Sequence, residues 1–171
     1  MEKEGNEDVQ EMSPAEKYDI QLVGPEEIET IADNILPVVL EDVTPDFITL
    51  SKRMLKYLVE QNGLGLAGPQ IGIKKAFFVY WRSCGEPAVV YNPKYYPDSN
   101  AHIRNIEGCL TYGKLQFEVR RYKRIRAVWY ESDGVSFFKR SKVLSGTDAI
   151  VFQHETDHCY GITIATKGIL I

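Results

Sequence analysis

Two of the chain's three histidines lie four residues apart in Gln153-His154-Glu155-Thr156-Asp157-His158. On a helix that spacing stacks both imidazoles on one face, aimed at a single metal ion, and Glu155 between them can reach a water on that metal. Catalytic sites of this type use three protein ligands and leave one position open. The 13 residues after His158 contain no Asp, Glu or His, so the third ligand must come from upstream. His102, Cys84, Cys109 or an acid could serve, with Cys159 also close by. Cys159 follows His158 directly and projects about 100° away around the helix axis, which assigns it to the core. Cys109 is the best candidate, because in Glu107-Gly108-Cys109-Leu110-Thr111 a glycine frees the backbone just before the thiol.

These residues need elements to hold them. Gly24-Pro25-Glu26-Glu27 opens a short helix, with proline in its first turn and acids at the positive end of the dipole, and Pro37 ends or kinks it. Thr44-Pro45-Asp46 starts a longer helix by the same logic. Phe47, Leu50, Met54 and Leu58 give it one apolar face, and Asn62-Gly63 stops it. The glycine-rich stretch Gly63 to Gly72 follows. It lacks the Gly-Lys-Ser/Thr end of a phosphate loop, and it stands between a helix and a strand, the wrong order for a dinucleotide loop. It reads as backbone that something must approach closely, with Gln70 as a positioned amide, or else as a plain turn-rich connector. Strands are expected at 76–81, 88–92, 115–122, 124–131 and 135–138, joined by short turns that favour antiparallel pairing. Ser145-Gly146-Thr147 starts the histidine-bearing helix, Gly161 closes it, and residues 162–164 suit a last short strand.

At 171 residues, with 44% hydrophobic and 26% charged side chains, the chain has the size and composition of one soluble globular domain. Its net charge of −4 is local: residues 1–17 hold six acids and two lysines, leaving 18 acids and 18 bases elsewhere. Residues 1–17 therefore read as a flexible acidic arm ahead of a single domain over 18–171. The first residues lack the basic start and apolar core of a secretory signal, and the longest apolar runs are too short to cross a bilayer. Three cysteines without close spacing argue against a disulfide framework and for a reducing, cytoplasmic setting.

Three segments, Gly63-Leu64-Gly65-Leu66-Ala67-Gly68-Pro69-Gln70, Glu107-Gly108-Cys109-Leu110-Thr111 and Gln153-His154-Glu155-Thr156-Asp157-His158, resemble the three signature motifs of peptide deformylases, in that family's order. Leu144-Ser145-Gly146, Ala149, Gly161 and Val119-Arg120-Arg121 extend the likeness over roughly residues 20–165. There are departures: Gly68 stands where alanine is common, Thr111 where serine is usual, and Cys159 where leucine is usual. The sequence also stops short of the long C-terminal helix of many bacterial members, which leaves docking on the ribosome open.

The resemblance implies an α+β fold, antiparallel β-sheets packed around a central HExxH-bearing helix. It implies removal of the formyl group from N-formylmethionyl peptides with release of formate. Cys109, His154 and His158 would bind one divalent cation, Fe²⁺ in most members with Zn²⁺, Ni²⁺ or Co²⁺ accepted; ligand identity alone does not name the ion. Glu155 would act as general base and then acid, while Gln70 and the Leu110 backbone N–H hold the developing oxyanion. The peptide would lie along Gly63, Leu64 and Gly65 opposite Gly108, its methionine side chain against Leu64, Ile150 and Val151. Asp157 is expected to pair with Arg121 and lock the helix to the strands. The bases Arg120, Arg121, Lys123, Arg124 and Arg126 read as a solvated strand face rather than a nucleic-acid patch. A monomer is expected, acting on nascent peptides with the ribosome as a possible partner, and with no membrane or sequence-specific nucleic acid. An HExxH peptidase that cuts ordinary peptide bonds, or a relative that binds nascent chains without turnover, are the competing readings.

Overall fold

The computed structural model describes residues 19–171; the acidic arm lies outside the described residues. Helix α1, Pro25–Ile31, carries proline at its start and Glu26 and Glu27 in its first turn, and ends in a 3-10 turn, Ala32–Asn34, ahead of Pro37. Helix α2, Pro45–Gln61, is capped by Thr44, whose hydroxyl accepts the Phe47 N–H at 3.2 Å. It stops where Asn62 turns left-handed at φ 54°. Met54 and Leu58 are fully buried, as their spacing requires.

Among the described residues, eight strands form two antiparallel sheets. The larger sheet has the order β1-β2-β3-β6-β7, comprising β1 Gly65–Ala67, β2 Phe77–Trp81, β3 Pro87–Pro97, β6 Arg124–Ser132 and β7 Phe137–Ser145. The smaller has the order β4-β5-β8, comprising β4 His102–Gly108, β5 Gln116–Tyr122 and β8 Gly168–Leu170. Strand β2 shows how alternation builds two cores from one sheet. Phe78 and Tyr80 point to the cluster shared with the histidine-bearing helix α3, Gly146–His158, where Phe152, Ala149, Trp129 and Cys159 also lie. Phe77 and Val79 point the other way, to Met54, Leu58 and Tyr91 beneath α2. A third, smaller cluster, Cys109, Phe117, Val119 and Ile164, packs on the small sheet. Helix α3 is thus enclosed by strands, as expected of a central element.

Several boundaries differ from the sequence reading. The glycine-rich stretch is not all loop: Gly65–Ala67 pairs with Phe78–Tyr80 as the short edge strand β1, and a 3-10 turn, Gly68–Ile71, follows. Strand β3 runs on to Pro97 through a bulge, where Asn92 sits at φ 50° and its amide bonds Val38 N–H and C=O. Strand β4 has no counterpart in the expectation. Strand β7 starts two residues later and ends seven residues later, most of it exposed. The last apolar run makes no strand; it leads into a single helical turn, α4 Ile164–Lys167, and the strand comes after it.

Candidate metal centre

Helix α3 brings the histidines to the site under tight constraint. The Gln153 amide is engaged on both sides: its oxygen accepts Tyr122 N–H at 3.0 Å, and its nitrogen donates to Tyr122 C=O at 3.0 Å and Ala149 C=O at 2.9 Å. That clamps α3 to the end of β5. Cys109 arrives from the other direction, just past the end of β4, where the chain breaks into a 3-10 turn at Leu110–Tyr112. One donor atom each from Cys109, His154 and His158 lie within 4.8 Å of one another, all buried. Cys109 Sγ is 3.5 Å from His158 Nε2, and the two imidazole rings meet edge to face at 4.8 Å.

Beneath the histidines is a charged floor. Glu107 accepts from Arg121 Nε at 2.9 Å and Nη2 at 2.7 Å, and its Oε1 lies 2.9 Å from His154 Nδ1. Arg121 also bonds Asp157 at 2.5 Å, the pairing expected from sequence. Asp157 has two further partners, Tyr95 OH at 2.9 Å and Lys167 Nζ at 2.8 Å. The floor joins β4, β5, α3, β3 and α4 in one network. Arg121 is 2% exposed, which corrects the reading of the basic run as a solvated face: that residue is a buried strut, flanked by exposed Arg120, Lys123 and Arg124.

The electrostatics follow. Burial would raise Glu107, but bonds with His154 and Arg121 and the Arg121 charge outweigh it and hold the carboxyl down at about 2. Burial would lower His154 too, yet the neighbouring Cys109 sulfur and Glu107 push it up to about 10. Burial and the adjacent charge of His154 hold His158 well below its ordinary value. The Cys109 sulfur, an imidazole backed by Glu107 and an imidazole kept neutral by its burial form a donor set that suits a divalent cation.

The opposite side of the pair faces a cleft of about 950 Å³. Glu155 is 3% exposed, and burial pushes its carboxyl up to about 7 against the pull of His154 and Arg121. Its Oε1 lies 4.0 Å from His154 Nε2, while Oε2 has no hydrogen-bond partner among the described residues. A Cβ on Gly65 would come within 2.6 Å of the Glu155 carboxylate, so the absent side chain is what lets β1 lie against the acid. Gly63 is close-packed in the same way, against Leu58 and Leu110, whereas Gly108 faces open space. The Gln70 amide is fixed: its oxygen accepts Ala67 N–H at 2.8 Å, and its nitrogen donates to Thr111 Oγ1 at 3.1 Å and points at Cys109 Sγ at 3.4 Å. Leu110 opens the 3-10 turn, so its N–H has no acceptor within that turn.

Of the residues singled out from sequence, Gly63, Leu64, Gly65, Gln70, Gly108, Cys109, Leu110, Ile150, Val151, His154 and Glu155 line this cleft, with His158 buried below it. The alternative ligands fall elsewhere. His102 stacks on Tyr122 at 4.5 Å, Cys84 is exposed, and Cys159 packs in the α3 core. The departures from the family pattern also find their places: Thr111 supplies the hydroxyl that holds Gln70, and a Cβ on Gly68 would come within 2.4 Å of the Phe77 ring. The sequence reading missed the cleft wall of β4, Ile103, Asn105 and Ile106, and the part played by Glu107. Glu107 stands two residues before Cys109, and its place in the Glu-Gly-Cys segment was its one signal.

A buried thiol and two imidazoles at the foot of a cleft, with an under-bonded carboxylic acid alongside on an α+β scaffold, define a metal-dependent hydrolase. Comparison with known proteins narrows the class. A family model for polypeptide deformylases matches residues 25–168. The peptide deformylase of Thermotoga petrophila is 36% identical over 117 residues, 68% of each chain. The crystal structure of the Thermotoga maritima peptide deformylase superposes with a TM-score of 0.74 at 29% identity, covering 88% of this chain and 96% of that one. The Thermus thermophilus enzyme gives 0.70 at 33% identity, over 86% and 83% of the two chains. The chain belongs to the polypeptide deformylase family.

Proposed function

We propose that this chain hydrolyses the formyl group from N-formylmethionyl peptides and releases formate, with Cys109, His154 and His158 holding the cation and Glu155 moving the protons. The observation that supports this most directly is the convergence of three donors, from two distant segments, beside an acid and a fixed amide in one cleft. A divalent cation held there supplies Lewis acidity toward the formyl carbonyl and lowers the pKa of water.

The protein's own groups do the rest. Glu155 takes the proton of the attacking water and returns it to the departing amine; a carboxyl near 7 suits both directions of transfer. Gln70 Nε2 and Leu110 N–H donate to the oxygen as it becomes negative, and Gln70 is pre-aimed by Ala67 and Thr111. Glu107 fixes the orientation of His154 through Nδ1. The peptide backbone adds to the free edge of β1, with Gly63, Leu64, Gly65 and Gly108 beside it. The methionine side chain rests against Leu64, Ile150 and Val151. In this reading the cation is Fe²⁺, with Zn²⁺, Ni²⁺ and Co²⁺ as substitutes. The enzyme works on nascent chains as a cytoplasmic monomer, its described residues forming one domain. No helix among the described residues is long and apolar enough to cross a membrane.

The test is formate release from formyl-Met-Ala-Ser by protein purified without oxygen and assayed for metal. Turnover of that peptide, with unformylated Met-Ala-Ser left intact, is the expected result. Cleavage of the unformylated peptide would instead favour an ordinary metallopeptidase, and no formate at all would remove the proposal.

A further inference from the structure

The large sheet is covered unevenly on the side away from α3. Helix α2 packs over one end of that face, where Tyr91, Tyr130 and Phe137 meet Phe47 and Ile48. Register sets the next residues of the same face side by side. Tyr96 stands opposite Arg126 and Arg126 opposite Val143, with Lys94 and Arg124 two residues along their strands. Lys139 stands opposite Tyr130. All four cations are exposed, and only Arg124 has an ion pair among the described residues, with Asp98 at 3.1 Å. No strand residue on this open face is acidic, in a body whose acids and bases otherwise balance. Two rings border the patch. Tyr96 is 51% exposed, and Tyr160, 53% exposed, donates its hydroxyl to Pro93 C=O at 3.3 Å, next to Lys94. The basic run of the sequence is thus divided: Arg121 is buried, Arg120 lies on the smaller sheet, and Arg124 and Arg126 join cations of β3 and β7.

We propose that this open face binds single-stranded nucleic acid through its phosphates and stacked bases, without sequence preference. Same-face residues recur about 7 Å apart along a strand and about 5 Å across to the next. Cations on that grid give a chain of phosphates several places to rest. Tyrosine rings among them offer platforms for bases, which present a π-face whatever their identity. Lys94, Arg126 and Lys139 make no side-chain hydrogen bond among the described residues, so nothing fixes them in a geometry that reads one base. A lipid surface fits less well, because Val143 is the one exposed aliphatic side chain among these strand residues. The face lies across the sheet from α3, so the inference stands apart from the chemistry at the metal centre.

The experiment is fluorescence anisotropy of the full chain with labelled oligouridylate of about 12 nucleotides, the span of one single-strand module. Binding is expected at low salt, and log K falls against log salt with a slope of about −3, the value for four phosphates on a single strand. Lys94→Gln combined with Arg126→Gln halves that slope to about −1.5. Tyr96→Ala weakens binding about tenfold at unchanged slope. Arg120→Gln, on the other sheet, changes neither. No binding at low salt, or a loss in Arg120→Gln as large as in the double variant, overturns the proposal. Unchanged affinity in Tyr96→Ala takes the bases out of the contact and overturns it as well. Binding to vesicles of phosphatidylcholine and phosphatidylserine without binding to oligouridylate would make the face a membrane surface instead, and the proposal wrong.

Discussion

The two carboxylates flanking the histidine pair are held in opposite ways. Glu107, on the floor, has both oxygens bonded, an arginine against it and a carboxyl held at about 2. Glu155, on the cleft side, is as deeply buried but leaves one oxygen without a partner and is pushed up to about 7. Both lie beside His154, Glu107 from β4 and Glu155 from α3 itself. The difference is what surrounds them: a saturated network fixes geometry and resists protonation, while an unsaturated acid remains available to exchange a proton. In the proposed reaction one side is a frame and the other a reagent.

The sharpest way to test that contrast is to remove the reagent. Glu155→Ala should lower kcat about 10²–10⁴-fold while the purified protein keeps its metal; activity near wild type in a metal-replete variant would falsify its role. Gln70→Ala, which takes away an aimed donor on the same side, should raise the barrier by about 3 kcal/mol with metal content unchanged. A variant that loses metal instead would reassign Gln70 to the frame. Gly65→Ala forces a methyl into the Glu155 carboxylate. A displacement of that kind should cost about 100-fold in kcat at constant metal affinity, and an active alanine variant would show that β1 yields freely.

Damage to the frame should look different. Arg121→Ala takes the shared cation from between two buried acids, leaving Glu107 with His154 alone and Asp157 with Lys167 and Tyr95, so unfolding free energy should drop by about 3–5 kcal/mol. Metal affinity should fall about 10–100-fold through the lost support of His154. Denaturant titration and metal competition measure the two effects, and an unchanged result in both would contradict the network. Smallest of all is Lys167→Ala, which removes a half-exposed partner of Asp157 and should cost about 1 kcal/mol or less, with kcat intact.

The reagent side was legible in the sequence, and the frame only in part. His154, Glu155 and His158 announce themselves by spacing, and Cys109 and Gln70 by the motifs around them. The pairing of Arg121 with Asp157 was also readable, but not that Glu107 completes it. In a run of five bases a buried arginine looks like its solvated neighbours, because alternation on a strand is a statement about faces and not about which face is inside. Strand β4 was missed for a related reason: in His102-Ile103-Arg104-Asn105-Ile106-Glu107 the apolar residues fall three apart rather than two, and the strand borders an open cleft, so it carries no repeat of a buried face. The true extent of β7 was hidden because its inner partner face is thin. Only Leu144 of its nine residues is buried, so hydrophobicity marks neither end. The final apolar run, Ile162 to Ile164, was taken for a strand when Thr163 is in fact buried by hydrogen bonds to Tyr112 and Glu29, a tether that no local pattern reveals.

The large sheet has two unpaired rims, and they are treated unequally. Along β7, nine residues long, the outward-pointing backbone groups of alternate residues are open, enough to template a strand from another molecule, and Lys139, Arg140 and Lys142 set a row of like charge there that repels any second copy of the same rim. Along β1 there are three residues, none of them charged. Self-adhesion is thus discouraged where the rim is long, while the short rim that lies against Glu155 carries no such guard and is the one the proposed peptide would use.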